Sequence, residues 1–249
     1  TNIAITEVLQ PIAPVEIIWE PKIFLPFHPN GMKFVSVDKE GKETDQWVVF
    51  SIGGGALAEE SDGASSVNTP DVYSMNSMTE ILQWCERTGK SYWEYVKECE
   101  DSDIWDYLQE VWKTMQNAVK RGLEQEGVLP GPLNLRRKAS TYYIRASGYK
   151  QSLQSRGLVF AYALAVSEEN ASGGVIVTAP TCGSCGVMPA VLYHLAKSRE
   201  FSDTRILRAL ATAGLVGNIV KTNASISGAE VGCQGEVGVA CAMASAAAN

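Results

Sequence analysis

An α+β fold, strands first and helices after, is predicted for this chain of 249 residues by three features of its sequence. Near the start, β-branched and aromatic residues alternate with polar ones, the period of a half-buried strand. In the middle, apolar residues recur every three or four positions, the period of an amphipathic helix. In the last third, Ala- and Gly-rich apolar runs suit helices in close contact. A composition of 45% hydrophobic and 20% charged residues is that of a globular chain, and the length is ample for a buried core.

Each element follows from its residues. IIWEPKIFL at 17–25 reads as a strand. MKFVSVD at 32–38 and WVVFSIGG at 47–54, joined through Lys39-Glu40-Gly41-Lys42, read as a hairpin. Gly53-Gly54-Gly55 ends it, either as a plain strand exit or as a backbone-amide anion site. Residues 59–72, polar with Gly and Pro, read as an exposed connection. Ser77-Met-Thr-Glu80 is a capping-box pattern, and helices are predicted at 77–88, 91–100 and 103–122. In the last of these, Ile104, Leu108, Val111, Met115 and Val119 form one face. Leu-Pro-Gly-Pro at 129–132 breaks the pattern. Arg136-Arg137-Lys138 reads as a solvated helix start, with a contact to a ligand carboxylate as the alternative. LVFAYALAVSEEN, VMPAVLYHLAK and TRILRALATAGLVGNIVK read as further helices, and VIVTAP as a short β-branched run ended by Pro180.

Charge narrows the function. The formal charge is −7, and residues 59–126 hold fifteen acids against six bases. Nucleic-acid binding needs clustered Lys and Arg, so no nucleic-acid partner is expected. No run approaches the ~20 apolar residues of a membrane helix, so no membrane partner is expected. Nothing at the N-terminus reads as a secretory signal, so the cytoplasm is the expected compartment. Six cysteines are too few for a disulfide scaffold. Cys85 and Cys99 read as plain helix residues, whereas Cys182, Cys185, Cys233 and Cys241 gather in the Gly/Ala-rich last third.

Three motifs carry chemistry. In Thr178-Ala-Pro-Thr-Cys-Gly-Ser-Cys-Gly186, Pro and Gly impose a tight turn and place Cys185 near a helix start. Orphan amides there favour anions, lower a thiol pKa and suit a substrate carboxylate. A redox CxxC, half of a metal site and an anion-binding turn all remain open. Asn223-Ala-Ser-Ile-Ser-Gly-Ala-Glu-Val-Gly-Cys-Gln-Gly-Glu236 reads as a polar loop buried between helices, which must satisfy its backbone groups. Cys233, with Glu230 and Glu236 nearby, is a candidate metal ligand, but a zinc or an iron–sulfur cluster needs three or four ligands. In Leu25-Pro-Phe-His-Pro-Asn-Gly-Met32, prolines fix the backbone on both sides of His28, a candidate acid, base or anion-binding donor. His194 reads as a packed or surface helix residue.

At these residues the chain resembles the iron–sulfur-dependent L-serine dehydratase (L-serine ammonia-lyase) family. The resemblance rests on LPFHPNGM, FSIGGG, EGVLPGPLNLRRKA, AVSEENASGG, VTAPTCGSCGVMPAVL and NASISGAEVGCQGEVGVACAMA, in the family's order. It implies that residues 1–58 belong to a small α+β domain, with 59–100 as acidic linker and helices. Residues 101–249 would then belong to an all-helical catalytic domain that holds a [4Fe–4S] cluster. Cys233 falls on the family's Glu-Val-Gly-Cys-Gln cluster ligand, while the family's other cluster cysteines lie in segments beyond Asn249. The family's N-terminal Ser-Ser-His-Thr stretch is also absent, so the chain resembles an internal portion of the enzyme. The implied reaction turns L-serine into pyruvate and ammonia, a cluster iron acting as Lewis acid on the hydroxyl. His28 and Glu230 are the implied catalytic side chains. Asn30, Thr181, Gly183, Ser184, Cys185, Ser225 and Ser227 are the implied substrate contacts, and a homodimer is the expected assembly. Two alternatives predict different things. A helical module without a cluster would be colourless and metal-free, and a redox protein would form a reversible Cys182–Cys185 disulfide.

Overall fold

A computed structural model describes residues 2–23, 25–28, 30–59 and 72–249. It divides into two compact units, Thr1–Pro70 and Asp71–Asn249. The connection expected at 59–72 lies mostly outside the described residues.

The first unit is built on a three-stranded antiparallel meander. α1 spans Asn2–Leu9, β1 Gly31–Val37, β2 Glu43–Gly53 and β3 Ala56–Ala58, in the sheet order β1-β2-β3. The predicted hairpin forms, with Gly31 opposite Phe50 and Phe34 opposite Trp47. Its turn is held by Asp38 Oδ1, which accepts from the amides of Glu40 and Lys42 at 2.9 Å each. Gly41 takes φ +80°, a conformation that other residues rarely adopt. Cross-strand stacking of Phe34 on Trp47, with ring centroids 5.5 Å apart, and packing of Phe27 on Phe50 at 4.7 Å fix the register. Gly53-Gly54-Gly55 is a reversal from β2 into β3, not a simple strand exit. The strand expected at 17–25 is absent: its described residues are extended or turned and join no sheet. Pro21 interrupts the donor row that a ladder would need. The helix α1 was not anticipated.

The second unit is helical among its described residues. α2 spans Met78–Thr88, α3 Tyr92–Cys99, α4 Asp103–Glu124, α5 Ala139–Ser147, α6 Gln151–Ala171, α7 Val187–Arg199, α8 Asp203–Asn223 and α9 Gly228–Ala248. The capping box of α2 forms, Ser77 accepting from the Glu80 amide while the Glu80 carboxylate accepts from the Ser77 amide. On α4, Leu108, Met115 and Val119 are buried, with Ile104 and Val111 packed at the edge. The core gathers Ile81, Trp84, Tyr95, Trp112, Met188, Leu192, Ile206 and Leu215 from five helices. Trp112 also donates from Nε1 to Asp203 at 3.1 Å, which ties α4 to the first turn of α8. VIVTAP forms no strand and crosses from α6 to α7 as irregular chain.

Small residues let helices touch. A Cβ added at Gly122 would meet the backbone carbonyl of Ala165, so α4 lies directly on α6 there. We predict that Gly122→Ala destabilises the fold by about 1–3 kcal/mol through overpacking. The measurement is the denaturant midpoint, and an unchanged midpoint would contradict this packing.

Candidate functional site

Two adjacent buried carboxylates stand at the end of α6. Glu168 accepts from the backbone amides of Lys138 at 2.6 Å and Ala139 at 3.4 Å, so it caps α5 from another helix. Glu169 accepts from Arg121 Nε at 3.0 Å and from Arg137 Nη1 at 3.2 Å. Arg137 also donates to Ser172 Oγ at 2.7 Å, and Arg121 donates to the Val175 carbonyl at 2.6 Å. The basic cluster therefore departs from the solvated helix start expected of it. Arg136 stays exposed, but the Arg137 side chain is buried by its ion pair with Glu169. The reason is electrostatic: a carboxylate withdrawn from water needs a charged partner.

This network aims the first motif. From Ser172 the chain runs through Val175 to a cis Ala179–Pro180 bond and then the turn 181–186. Asn170 Nδ2 donates to the Cys182 carbonyl at 3.1 Å, anchoring the turn to α6. Gly186 is a close approach, since a Cβ there would lie 2.6 Å from the Ala163 carbonyl oxygen. Thr181 and Ser184 are buried, their hydroxyl oxygens 3.3 Å apart. Cys182 is exposed and Cys185 buried, and both are free thiols.

Cys185 corrects an expectation. Its position beside a helix start was expected to lower its pKa. Burial instead raises it from the ordinary 9.0 to about 12, helped by the nearby charges of Cys182 and Glu236. Desolvation outweighs the helix dipole here, so Cys185 remains a neutral packing group at physiological pH.

The second motif is also corrected. Asn223 through Glu236 is not a loop: only residues 224–227 separate α8 from α9. Ser225 Oγ accepts from the Ser227 amide at 3.0 Å, and Ser227 is buried. α9 is broken at Gly232, with φ 70° and ψ 173°, so its first turn and the rest have separate axes. Cys233 follows the break and is exposed, and Glu230 in the first turn is exposed too. Beyond the break, Glu236 turns inward and is 9% exposed. A Cβ on Gly183 would lie 2.6 Å from its Oε1, and one on Gly228 would lie 2.6 Å from its Oε2. The carboxylate thus joins the two motifs, with Thr181, Ser184 and Cys185 on one side and Ser227 on the other. The sequence named Glu236 only as a neighbour of Cys233. Its helical phase, eight residues beyond Gly228, was hidden by reading the stretch as a loop.

His28 and Asn30 belong to the first unit. The Asn30 amide donates to His28 Nδ1 at 3.1 Å, which leaves Nε2 to carry the proton of the neutral ring. Pro29 lies outside the described residues. His194 is half-buried on α7, its Nε2 2.7 Å from Ser155 Oγ, and burial lowers its pKa. Among the described residues, no group of three or more His, Cys, Asp or Glu is placed to hold a metal ion. Also among them, no helix is long and apolar enough to cross a membrane. A cavity of about 470 Å³ between α2, α3, α8 and the end of α9 contains none of these motif residues.

Buried hydroxyls and a carboxylate at two helix starts define an α+β protein with a candidate small-molecule site in its helical unit. Residues 39–249 match the family described as serine dehydratase alpha chain, and residues 6–62 match serine dehydratase beta chain. The chain belongs to the serine dehydratase family. It is 42% identical over 238 residues to an L-serine dehydratase of Haemophilus influenzae, covering 90% of this chain and 52% of that protein. To L-serine dehydratase 1 of Escherichia coli it is 43% identical over 236 residues, covering 89% and 51%. The chain spans about half the length of the curated relatives it matches.

The thiols give a direct check. Alkylation at neutral pH should modify Cys182 and Cys233 first and Cys185 last, read by mass spectrometry of peptides. The Cys185 proton adds stability that is full below pH 9.0 and is lost as pH rises toward about 12. Rapid labelling of Cys185 in the folded chain at pH 8 would contradict its burial.

Proposed function

We propose that this chain carries part of the active site of an L-serine dehydratase, which eliminates water from L-serine. The observation that carries the reading is the meeting of two family motifs at one buried carboxylate, Gly183 and Gly228 both lying against Glu236. The membership of the family and the names of its relatives support the same reading.

Serine loses its Cα proton and its β-hydroxyl, giving 2-aminoacrylate and water. The aminoacrylate tautomerises to an imine, and water releases pyruvate and ammonia. The Cα proton is weakly acidic and hydroxide leaves poorly, so both ends of the elimination need help. Thr181, Gly183 and Ser184, at the start of α7, offer hydroxyls and amides to the substrate carboxylate. Ser225 and Ser227 line the start of α9 opposite them. On the family resemblance alone, His28 is assigned as a catalytic side chain and Asn30 as a substrate contact; within the first unit the Asn30 backbone amide donates to His28 Nδ1, which leaves Nε2–H on the neutral ring. Glu230, exposed in the first turn of α9, is assigned as a catalytic side chain beside Cys233.

Cys233 fits one corner of an iron–sulfur cluster. It is a free, exposed thiol at a backbone break, where a sulfur can reach iron without disturbing the core. One thiolate cannot hold a cluster, and the described residues contain no further set, so other parts of the protein would supply the remaining ligands. A [4Fe–4S] cluster, when bound, supplies a Lewis acid for the departing hydroxyl. An assembly of two copies and a cytoplasmic setting complete the reading.

Two tests apply to the intact enzyme. Cys233→Ser should abolish both the brown absorbance and serine turnover, and retention of both would remove Cys233 from the ligand set. His28→Ala should lower kcat/KM for serine about 10- to 100-fold, the worth of a hydrogen bond to a charged group, with the absorbance kept. Unchanged kinetics would make His28 structural.

A further inference from the structure

We infer that Glu236 is the subsite for the substrate's ammonium group, and so the residue that selects an α-amino acid over the corresponding hydroxy acid. The inference rests on the dehydratase reading and assigns a role that the family motifs leave open.

Glu236 is nine-tenths buried, yet among the described residues no hydrogen bond or ion pair reaches its carboxylate. The other two buried glutamates show how this protein treats such groups. Glu168 has two backbone amides and Glu169 has two arginines. An ionised carboxylate out of water without a partner is costly. Its position adds a direction. Oε1 lies against Gly183 and Oε2 against Gly228, the two places where absence of a side chain leaves backbone open beside it. Any larger residue at either position would cover the carboxylate.

The surrounding groups fit an amino acid zwitterion. The start of α7 presents amides and the buried hydroxyls of Thr181 and Ser184, which favour the carboxylate end. Glu236 is the neighbouring negative charge and favours the ammonium end. In an amino acid these two groups hang on one carbon, so a site for one sets the place of the other. Cys185, neutral and buried beside them, adds no competing charge. A bound ammonium would supply the partner that Glu236 lacks.

The test is equilibrium binding to the intact enzyme by calorimetry, with L-alanine, which has no hydroxyl to lose, and propanoate, which also lacks the amine. The wild type should bind L-alanine at least about 30-fold more tightly than propanoate, the lower bound for a buried charge contact. Glu236→Gln should erase that difference, weakening L-alanine while leaving propanoate within about twofold. Unchanged L-alanine affinity in the variant, or equal loss of both ligands, would overturn the inference. If Glu236→Gln does not fold, the wild type still decides, because equal affinity for the two ligands overturns it. Ethanolamine separates the two claims. A wild type that binds this amine through Glu236 but does not dehydrate serine keeps the ammonium subsite and removes the dehydratase reading. Normal turnover in Glu236→Gln does the reverse.

Discussion

Placing Glu168 and Glu169 side by side in a helical core imposes a strong electrostatic demand, and much of the second unit is arranged around meeting it. Arg121 comes from α4, Arg137 from the segment before α5, and two amides from the start of α5 itself. One pair of carboxylates thus fixes three helices and the chain that leaves α6. Because the same arginines also hold Ser172 and the Val175 carbonyl, the path toward the Pro-Thr turn is set by charge rather than by apolar packing. Removing both arginines would leave Glu169 as a buried unpaired charge, and removing either would release one of the two contacts, at Ser172 or at Val175, that set this path.

Glycine makes the remaining approaches. Gly122 brings α4 onto α6, Gly186 brings α7 onto α6, and Gly183 and Gly228 admit the end of Glu236. The helices of the last third are therefore specified by what is missing from their surfaces as much as by their apolar residues. Their weak amphipathic pattern has the same origin, since small residues on every side leave little contrast between faces.

Much of the fold was legible in the sequence. The hairpin, the capping box at Ser77 and the face of α4 all follow local rules, and local rules operate here without competition. The failures lie where tertiary context decides. IIWEPKIFL has strand-like residues but, among the described residues, no partner strand. The stretch from Asn223 to Glu236 looks like a loop because Gly and Ser dominate it, yet packing against α7 and α8 makes most of it helical. Arg137 looked solvated because its partner Glu169 lies 32 residues away. The candidate site was legible as motifs, but not as a geometry. Thr181, Ser184 and Ser227 are buried, and the burial of Cys185 reverses the expected effect of its helix start.

The break at Gly232 has a further consequence. An unbroken α9 would commit each peptide N–H past its opening turn to a carbonyl four residues earlier. With φ at 70° and ψ at 173°, Gly232 departs from that geometry, and the helix starts anew beside Cys233. Glycine at this position thereby sets a second helix start next to the Cys233 thiol, in the middle of what would otherwise be one continuous rod.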